Sequence, residues 1–312
     1  MNKNMELISV VITTHGRGDR LEYAVKSATA QTYENIEVIV VDDNSDCLKE
    51  RKKTEQIIKK YSGVRLVENV KNLGGAMSRN AGIAAAKGKL VSFLDDDDQY
   101  LPDRIEKLYK IFKEHKKDNI GLAYCSCVAV DENNNVINEY VNVANGRPFY
   151  QHMLGCVAGT SMWLASKDVL NSVGNFDDVP SKQDSTLILK MIDAGYTVYG
   201  TPEKLVLYLE HSGERISGAK PSNIEGIKIY REKCRKQYYR LKKKESAKIE
   251  CNFSNQLISI YLINNNVLNA KEEFRNIRRN NLISKVCFRN LLKIMFYKKY
   301  NARIKRLKDE RK

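Results

Sequence analysis

No run in this chain of 312 residues approaches the ~20 consecutive apolar residues that a membrane-spanning helix needs. The N-terminal "MNKNMELISVVITTHG" has a short apolar run that breaks at Thr13 and Thr14, too early for a secretion signal. The seven cysteines (Cys47, Cys125, Cys127, Cys156, Cys234, Cys251, Cys287) contain no C-x-x-C pair. Cys125 and Cys127 on a strand would point to one face, which is poor zinc geometry, so the set reads as reduced packing residues in a cytosolic protein. The dinucleotide fingerprint G-x-G-x-x-G is missing: after the first apolar run stands "TTHGRGDR". No G-x-x-x-x-G-K-[ST] loop exists either, so any bound phosphate must be neutralised without a glycine cradle. The one tryptophan, Trp163, has apolar neighbours and reads as core. No internal repeat or low-complexity linker is present.

Charge is plentiful but unevenly spread. The chain carries a net +15, yet residues 228–312 hold 25 Lys and Arg against 7 Asp and Glu, a net of +18. The remaining residues hold 28 against 31, a net of −3. A near-neutral body with a basic tail implies an anionic partner for the tail.

Along the first hundred residues two hydrophobic periods alternate. Leu7–Thr13, Ile36–Val41, Val64–Glu68 and Leu90–Leu94 are short, β-branched and nearly continuous, as in strands buried on both faces. Between them Leu21, Ala24, Val25 and Ala28 mark one helical face, Leu48–Tyr61 a basic helix ending at Gly63, and "GGAMSRNAGIAAAKG" a helix closed by Gly88. This alternation predicts βαβ units in a parallel sheet. Beyond Pro102, Ile105, Leu108 and Phe112 predict another helix, and "GLAYCSCVAVDENNNVINEYV" a hairpin around its Asn-rich turn. A strand–helix stretch over Val157–Val173, a helix over Asp184–Ala194 and two strands, "YTVYG" and "KLVLYLEH", follow. A hinge is expected in Gly213–Asn223, and from Ile227 every apolar pattern is helical.

Open parallel sheets bind ligands at the carboxyl ends of their strands. Here the first strand ends in Thr13-Thr14-His15, the second in Asp42-Asp43-Asn44-Ser45 and the fourth in Asp95 to Asp98. Four adjacent carboxylates repel one another unless solvated or joined by a cation. Mg²⁺ or Mn²⁺ takes oxygen ligands and bridges phosphate oxygens, so carboxylates holding a metal suit a site without glycines. Plainer readings compete: an acidic turn capping the helix after Pro102, and an N-cap at Asp42 or Ser45.

Three strings, "ISVVITTHGRGDRLEYAVKSATAQTYENIEVIVVDDNSDC", "NLGGAMSRNAGIAAAKGKLVSFLDDDD" and "QDSTLILKMIDAGY", together resemble the family 2 glycosyltransferases with a GT-A fold, over about residues 6–217. The resemblance implies an α/β fold, a Rossmann-like and mostly parallel central sheet with helices on both faces, plus an all-α basic C-terminal extension. It implies a catalytic domain over 1–222, with a nucleotide-binding half (1–100) and an acceptor-binding half (101–222), followed by a helical region over 223–312. By the same resemblance Asp43 and Thr13 hold the nucleotide base, while Arg79, Asp95 and Asp96 bind the nucleotide-sugar. Asp97 holds Mn²⁺ or Mg²⁺, Asp98 orients water or ribose, and Asp184 is the catalytic base. Many relatives have Glu before that base where this chain has Gln183. In "LEHSGERISG", His211 is a second metal candidate and Arg215 a diphosphate contact, on a looser match. Helix capping is the competing role for Asp184, and His15 and His152 read as structural or surface residues.

The implied reaction is metal-dependent, inverting transfer from a nucleoside-diphosphate sugar, UDP by family habit, to a saccharide acceptor, expected to be lipid-linked, in cell-surface polysaccharide synthesis. Sugar nucleotidyl transfer and a catalytically silent sensor are the alternatives. The expected location is cytoplasmic, with attachment to the inner face of the membrane as a variant. In the tail, Phe288, Leu291, Leu292, Met295 and Phe296 share an apolar side, while Lys285, Arg289 and Lys293 recur every fourth residue on another. Such a helix either lies on an anionic membrane or packs on the body with a solvated charged face. Nucleic acid is not an expected partner, since aromatic interleaving and a reader motif are missing.

Overall fold

A computed structural model of the protein describes residues 5–210, 219–279 and 285–309. His211, Arg215 and most of the hinge expected at Gly213–Asn223 lie outside the described residues.

The chain begins with the alternation read from its periodicity: β1 (Ile8–Thr14), α1 (Gly18–Thr29), β2 (Ile36–Asp42), α2 (Leu48–Ile58), β3 (Val64–Glu68), α3 (Gly74–Ala85) and β4 (Leu90–Asp95). A two-residue strand, β5 (Gln99–Tyr100), precedes α4 (Arg104–Glu114) and the hairpin of β6 (Ile120–Val130) with β7 (Val136–Tyr140). After α5 (Phe149–Leu154) come β8 (Trp163–Ser166), α6 (Lys167–Ser172), α7 (Gln183–Asp193) and β9 (Thr197–Leu209). The remainder is helical: α8 (Pro221–Arg235), α9 (Lys243–Ile263), α10 (Val267–Arg279), α11 (Lys285–Met295) and α12 (Tyr297–Asp309).

Two compact units result. The first takes the chain up to Phe149, Cys156–Asp178 and the stretch from Leu187 through β9. Its sheet runs β3-β2-β1-β4-β8-β6-β9-β5, with β7 paired to β6. The block β3-β2-β1-β4 is wholly parallel. Beyond it the sheet is mixed, because β8 runs antiparallel to both β4 and β6 while β6 and β9 are parallel. Hydrophobic period reports that a strand exists but not its direction, so only the βαβ half was legible as parallel. β3 differs from expectation: it pairs with β2 alone among the strands, and because it forms the edge residues 64–67 are half-buried and Glu68 is exposed. The two strands expected in "YTVYG" and "KLVLYLEH" are one. β9 continues through Pro202, and its register with β6 jumps from Cys125↔Thr201 to Ser126↔Lys204. That bulge accommodates a proline without a ladder N–H.

Packing explains two further features. Gly82 lets α3 lie against β1, since a Cβ there would come within 2.2 Å of Val11 Cγ1. Arg104, on α4, is fully buried, donating to Ser92 Oγ (2.8 Å) and the Ser161 and Trp163 carbonyls (2.9 Å each) over the Tyr100 ring. Trp163 is fully buried, as its neighbours imply. No disulfide joins the described cysteines, and burial pushes the Cys127 and Cys234 thiols up to about 12, leaving them inert.

The second unit comprises Tyr150–Gly155, Val179–Thr186 and the C-terminal helices, whereas the sequence boundary at 222 groups the first two segments with the catalytic domain. Its centre is ionic. Arg231 of α8 bonds Glu250 of α9 (2.7 Å) and Glu273 of α10 (3.0 Å), and Arg235 and Tyr238 bond Glu250 as well. Burial alone would raise the Glu250 carboxyl, but the Arg235 and Arg231 bonds hold it down at about 2. Among the described residues no helix is long and apolar enough to cross a membrane.

Candidate active site

Pairing register brings the polar strand ends together. Thr13 of β1 lies between Val41 of β2 and Asp95 of β4. The Asp43 amide donates to the Thr14 carbonyl (3.0 Å), and Thr14 Oγ1 donates to Asp96 Oδ2 (2.7 Å). One hydrogen-bond relay therefore joins the carboxyl ends of β2, β1 and β4, and the three sequence clusters share one edge.

Asp43 is buried and faces the start of α3. Its Oδ1 accepts from Asn69 Nδ2 (2.7 Å) and the Leu73 amide (2.8 Å), and its Oδ2 from the Gly74 amide (2.8 Å). Three of the ~four acceptor positions of a carboxylate are thus used to anchor the loop at the positive end of a helix. Asp42 accepts from the Asn44 amide (2.8 Å), while Asn44 Oδ1 accepts from the Gly16 amide (2.7 Å). The N-cap reading of this segment fails: α2 is preceded by Cys47, which makes no side-chain cap.

The four aspartates divide between roles. Asp95 bonds Arg79 Nη2 (2.5 Å), and that buried guanidinium lies over the Phe176 ring. Asp96 is buried, and desolvation pushes its carboxyl up to about 7 although Arg17 pulls it down. Arg17 Nη1 donates to Asp96 Oδ1 (3.1 Å) and to Asp97. Asp98 turns inward, where its Oδ1 accepts from the Leu209 amide (3.1 Å) and its Oδ2 has no partner. Burial holds the Asp98 carboxyl well above the usual range, and its bond from the Leu209 amide ties the loop after β4 to the end of β9. The cluster is therefore neither a solvated turn nor four free charges.

The pairing of Arg17 with Asp96 and Asp97 is the feature of this cluster that sequence reasoning missed. By sequence alone "THGRG" reads only as a failed glycine cradle. The usable signal was charge: a lone cation directly after the first strand, on an edge with four carboxylates.

Among the described residues no three His, Cys, Asp or Glu side chains are grouped to enclose a cation. The donor chemistry still fits a hard divalent ion. Such ions are held by one or two carboxylates plus phosphate oxygens and water, and Asp97 offers carboxylate oxygens at a point that already attracts a guanidinium.

Asp184 sits in the second unit, in the first turn of α7, after Lys182 in the left-handed region (φ 61°). Its Oδ1 accepts from the Ser185 amide (2.6 Å) and Ser185 Oγ (3.2 Å). In the same unit His152 is fully buried. Its Nε2–H donates to the Ser185 carbonyl (2.8 Å), leaving Nδ1 without a partner. Burial lowers its pKa from 6.5 to about 4. Protons then bind the unfolded chain first, so stability present above pH 6.5 is lost as pH falls toward 4. His152→Gln should remove about 3 kcal/mol of that loss, read as the difference between wild-type and variant urea midpoints across the window.

Comparison with known proteins decides the family. The sequence profile described as Glycosyl transferase family 2 matches residues 9–170, just over half of the chain. The chain belongs to glycosyl transferase family 2. An uncharacterized glycosyltransferase of Haemophilus influenzae is 28% identical over 66% of this chain and 69% of its own length. One of Methanocaldococcus jannaschii is 35% identical over 43% of this chain, spanning 46% of that relative. TuaG of Bacillus subtilis, a glycosyltransferase named for teichuronic acid biosynthesis, is 23% identical over 65% of this chain and 78% of its own length. The crystal structure of S. aureus TarS 1-349 in complex with UDP-GlcNAc superposes with a TM-score of 0.66 over 97% of this chain and 92% of that one, at 16% identity. This glycosyltransferase thus has the GT-A fold, and the nucleotidyltransferase alternative falls away.

Proposed function

We propose that this glycosyltransferase moves a sugar from a uridine diphosphate donor onto a hydroxyl of a lipid-linked saccharide, with inversion, in cell-surface polysaccharide synthesis. The observation that carries the reading is the register of β2, β1 and β4, which gathers Asp43, Thr13 and Asp95–Asp98 on one sheet edge. UDP-GlcNAc in TarS and the pathway for which TuaG is named support the donor and product class.

In this reading Thr13 and Asp43 hold the base, with Asp43 using its remaining acceptor position. Arg79, Asp95 and Asp96 border the nucleotide-sugar, with Asp96 held in place by Thr14 and Arg17. Asp97 would hold Mn²⁺ or Mg²⁺, with His211 as a second ligand; when bound, the ion supplies Lewis-acid stabilisation of charge on the departing diphosphate. Arg215 contacts the diphosphate. Arg17, freed from Asp97, carries a second positive charge to the same phosphates. Asp184 takes the proton of the acceptor hydroxyl as that oxygen attacks the anomeric carbon from the face opposite the leaving group. One displacement inverts the anomer.

A panel of nucleotide-sugars with and without Mn²⁺ tests the proposal. A UDP-sugar at a hundredfold its Kd should stabilise the protein by about 2.7 kcal/mol in thermal melts and release UDP on adding a saccharide acceptor. Stabilisation without turnover would convert the reading to a silent sensor, and no response to any uridine compound would remove it.

A further inference from the structure

The C-terminal end of the second unit carries a surface that glycosyl transfer does not explain. α11 and α12 both pack on α9: Lys293 Nζ donates to Ser259 Oγ (3.0 Å), Asn301 Nδ2 donates to the Leu262 carbonyl (2.7 Å), and Ile294 is buried. The outward side is apolar where a solvated helix would be polar. Leu291 (38% exposed), Leu292 (38%), Met295 (62%) and Phe296 (51%) follow one another around the α11–α12 junction. Helical bonds continue through it, from the Phe296 amide to the Leu292 carbonyl and from the Tyr300 amide to the Phe296 carbonyl (2.9 Å each). The wedge is therefore held on regular backbone.

Its rim has one sign. Residues 285–308 contain nine Lys and Arg and no Asp or Glu. Arg289, Lys298, Lys299 and Arg303 are exposed, and Lys299 Nζ lies 6.0 Å from the Phe296 ring centroid. Two copies of this face would bring like charges together, so self-association is opposed. A nucleic acid would use the cations but gain little from exposed Leu and Met. An anionic bilayer uses both, taking the apolar side chains below the headgroups and pairing the cations with phosphates.

We propose that the α11–α12 junction is a docking surface for an anionic lipid bilayer, through insertion of Leu291, Leu292, Met295 and Phe296 within a ring of basic side chains. This contact is independent of the donor chemistry and holds whether or not a uridine compound is the substrate.

The full chain should cosediment with vesicles of equal parts phosphatidylglycerol and phosphatidylcholine, weakly or not at all with pure phosphatidylcholine, and less as salt is raised. Lys298→Gln with Lys299→Gln should weaken binding on the order of 30-fold, taking ~1 kcal/mol per cation near an anionic surface. Met295→Ser with Phe296→Ser should weaken it by more than about tenfold and remove the salt-resistant part. Melting curves of both variants matching wild type tie the losses to the surface. Equal binding to both vesicle types, binding unmoved by either double variant, or the same residues governing dimerisation in lipid-free solution would each overturn the proposal.

Discussion

Asp97→Asn is expected to lower kcat/KM on the order of 10²–10³-fold, the cost typical of removing one group that stabilises charge in a transition state. The substitution keeps shape and an acceptor oxygen but deletes the charge. Asp97 lies beside three other carboxylates, and desolvation together with Asp97 and Asp95 already holds Asp98 well above the usual range. Removing a charge there relieves repulsion, so thermal stability should hold or rise. Arg17 loses one ion-pair partner but keeps Asp96. Calorimetry with UDP and Mn²⁺ should show nucleotide affinity that no longer responds to the ion. A variant that melts earlier yet turns over within a few-fold of wild type would mean that Asp97 serves only to hold Arg17.

The parallel half of the fold was legible because β1, β2 and β4 are largely buried along their length and the helices between them have one apolar face each. Val64–Glu68 was read to the residue and Leu90–Asp95 to within one. What the sequence hid depends on partners distant along the chain. The two residues of β5 form a strand only because β9 lies alongside, at Gln99↔Leu207 and Tyr100↔Val206. β9 itself looked broken at Pro202, since local pattern cannot show that a partner strand will absorb a bulge.

The site shows the same division. Convergence of the strand ends follows from parallel topology, so Asp43, Asp95 and Asp97 could be found from sequence. Orientation could not. Asp98 is adjacent to Asp97 yet buried against the Leu209 amide, because the turn closed by the Asp98 amide on the Asp95 carbonyl (3.1 Å) sends successive side chains to different sides. Nor could the pairing of the charges be found, although Arg79 itself was named. Arg79 belongs to Asp95 and Arg17 to Asp96 and Asp97 through contacts spanning from 16 to 80 positions along the chain. His152, read as structural or surface, is a buried structural imidazole beside Ser185, and no local pattern chooses between those two places.

Asp184→Asn separates catalysis from hydrogen bonding at the start of α7. Asp184 lies within the first turn of α7 rather than at its N-cap, and the asparagine side-chain oxygen accepts hydrogen bonds as a carboxylate oxygen does, so the bonds from the Ser185 amide and hydroxyl survive. What asparagine cannot do is take a proton. If Asp184 is the base, turnover should fall about 10²–10⁴-fold while the melting temperature and UDP-sugar affinity stay near wild type. Asp184→Ala provides the complement: losing the hydrogen-bond acceptor as well should cost about 1 kcal/mol of stability with a similar loss of turnover. The two effects then lie on different axes, proton transfer appearing in both variants and the lost acceptor only in the alanine. Should Asp184→Asn retain more than about a tenth of wild-type turnover, the carboxylate is a helix-start residue and another group accepts the proton.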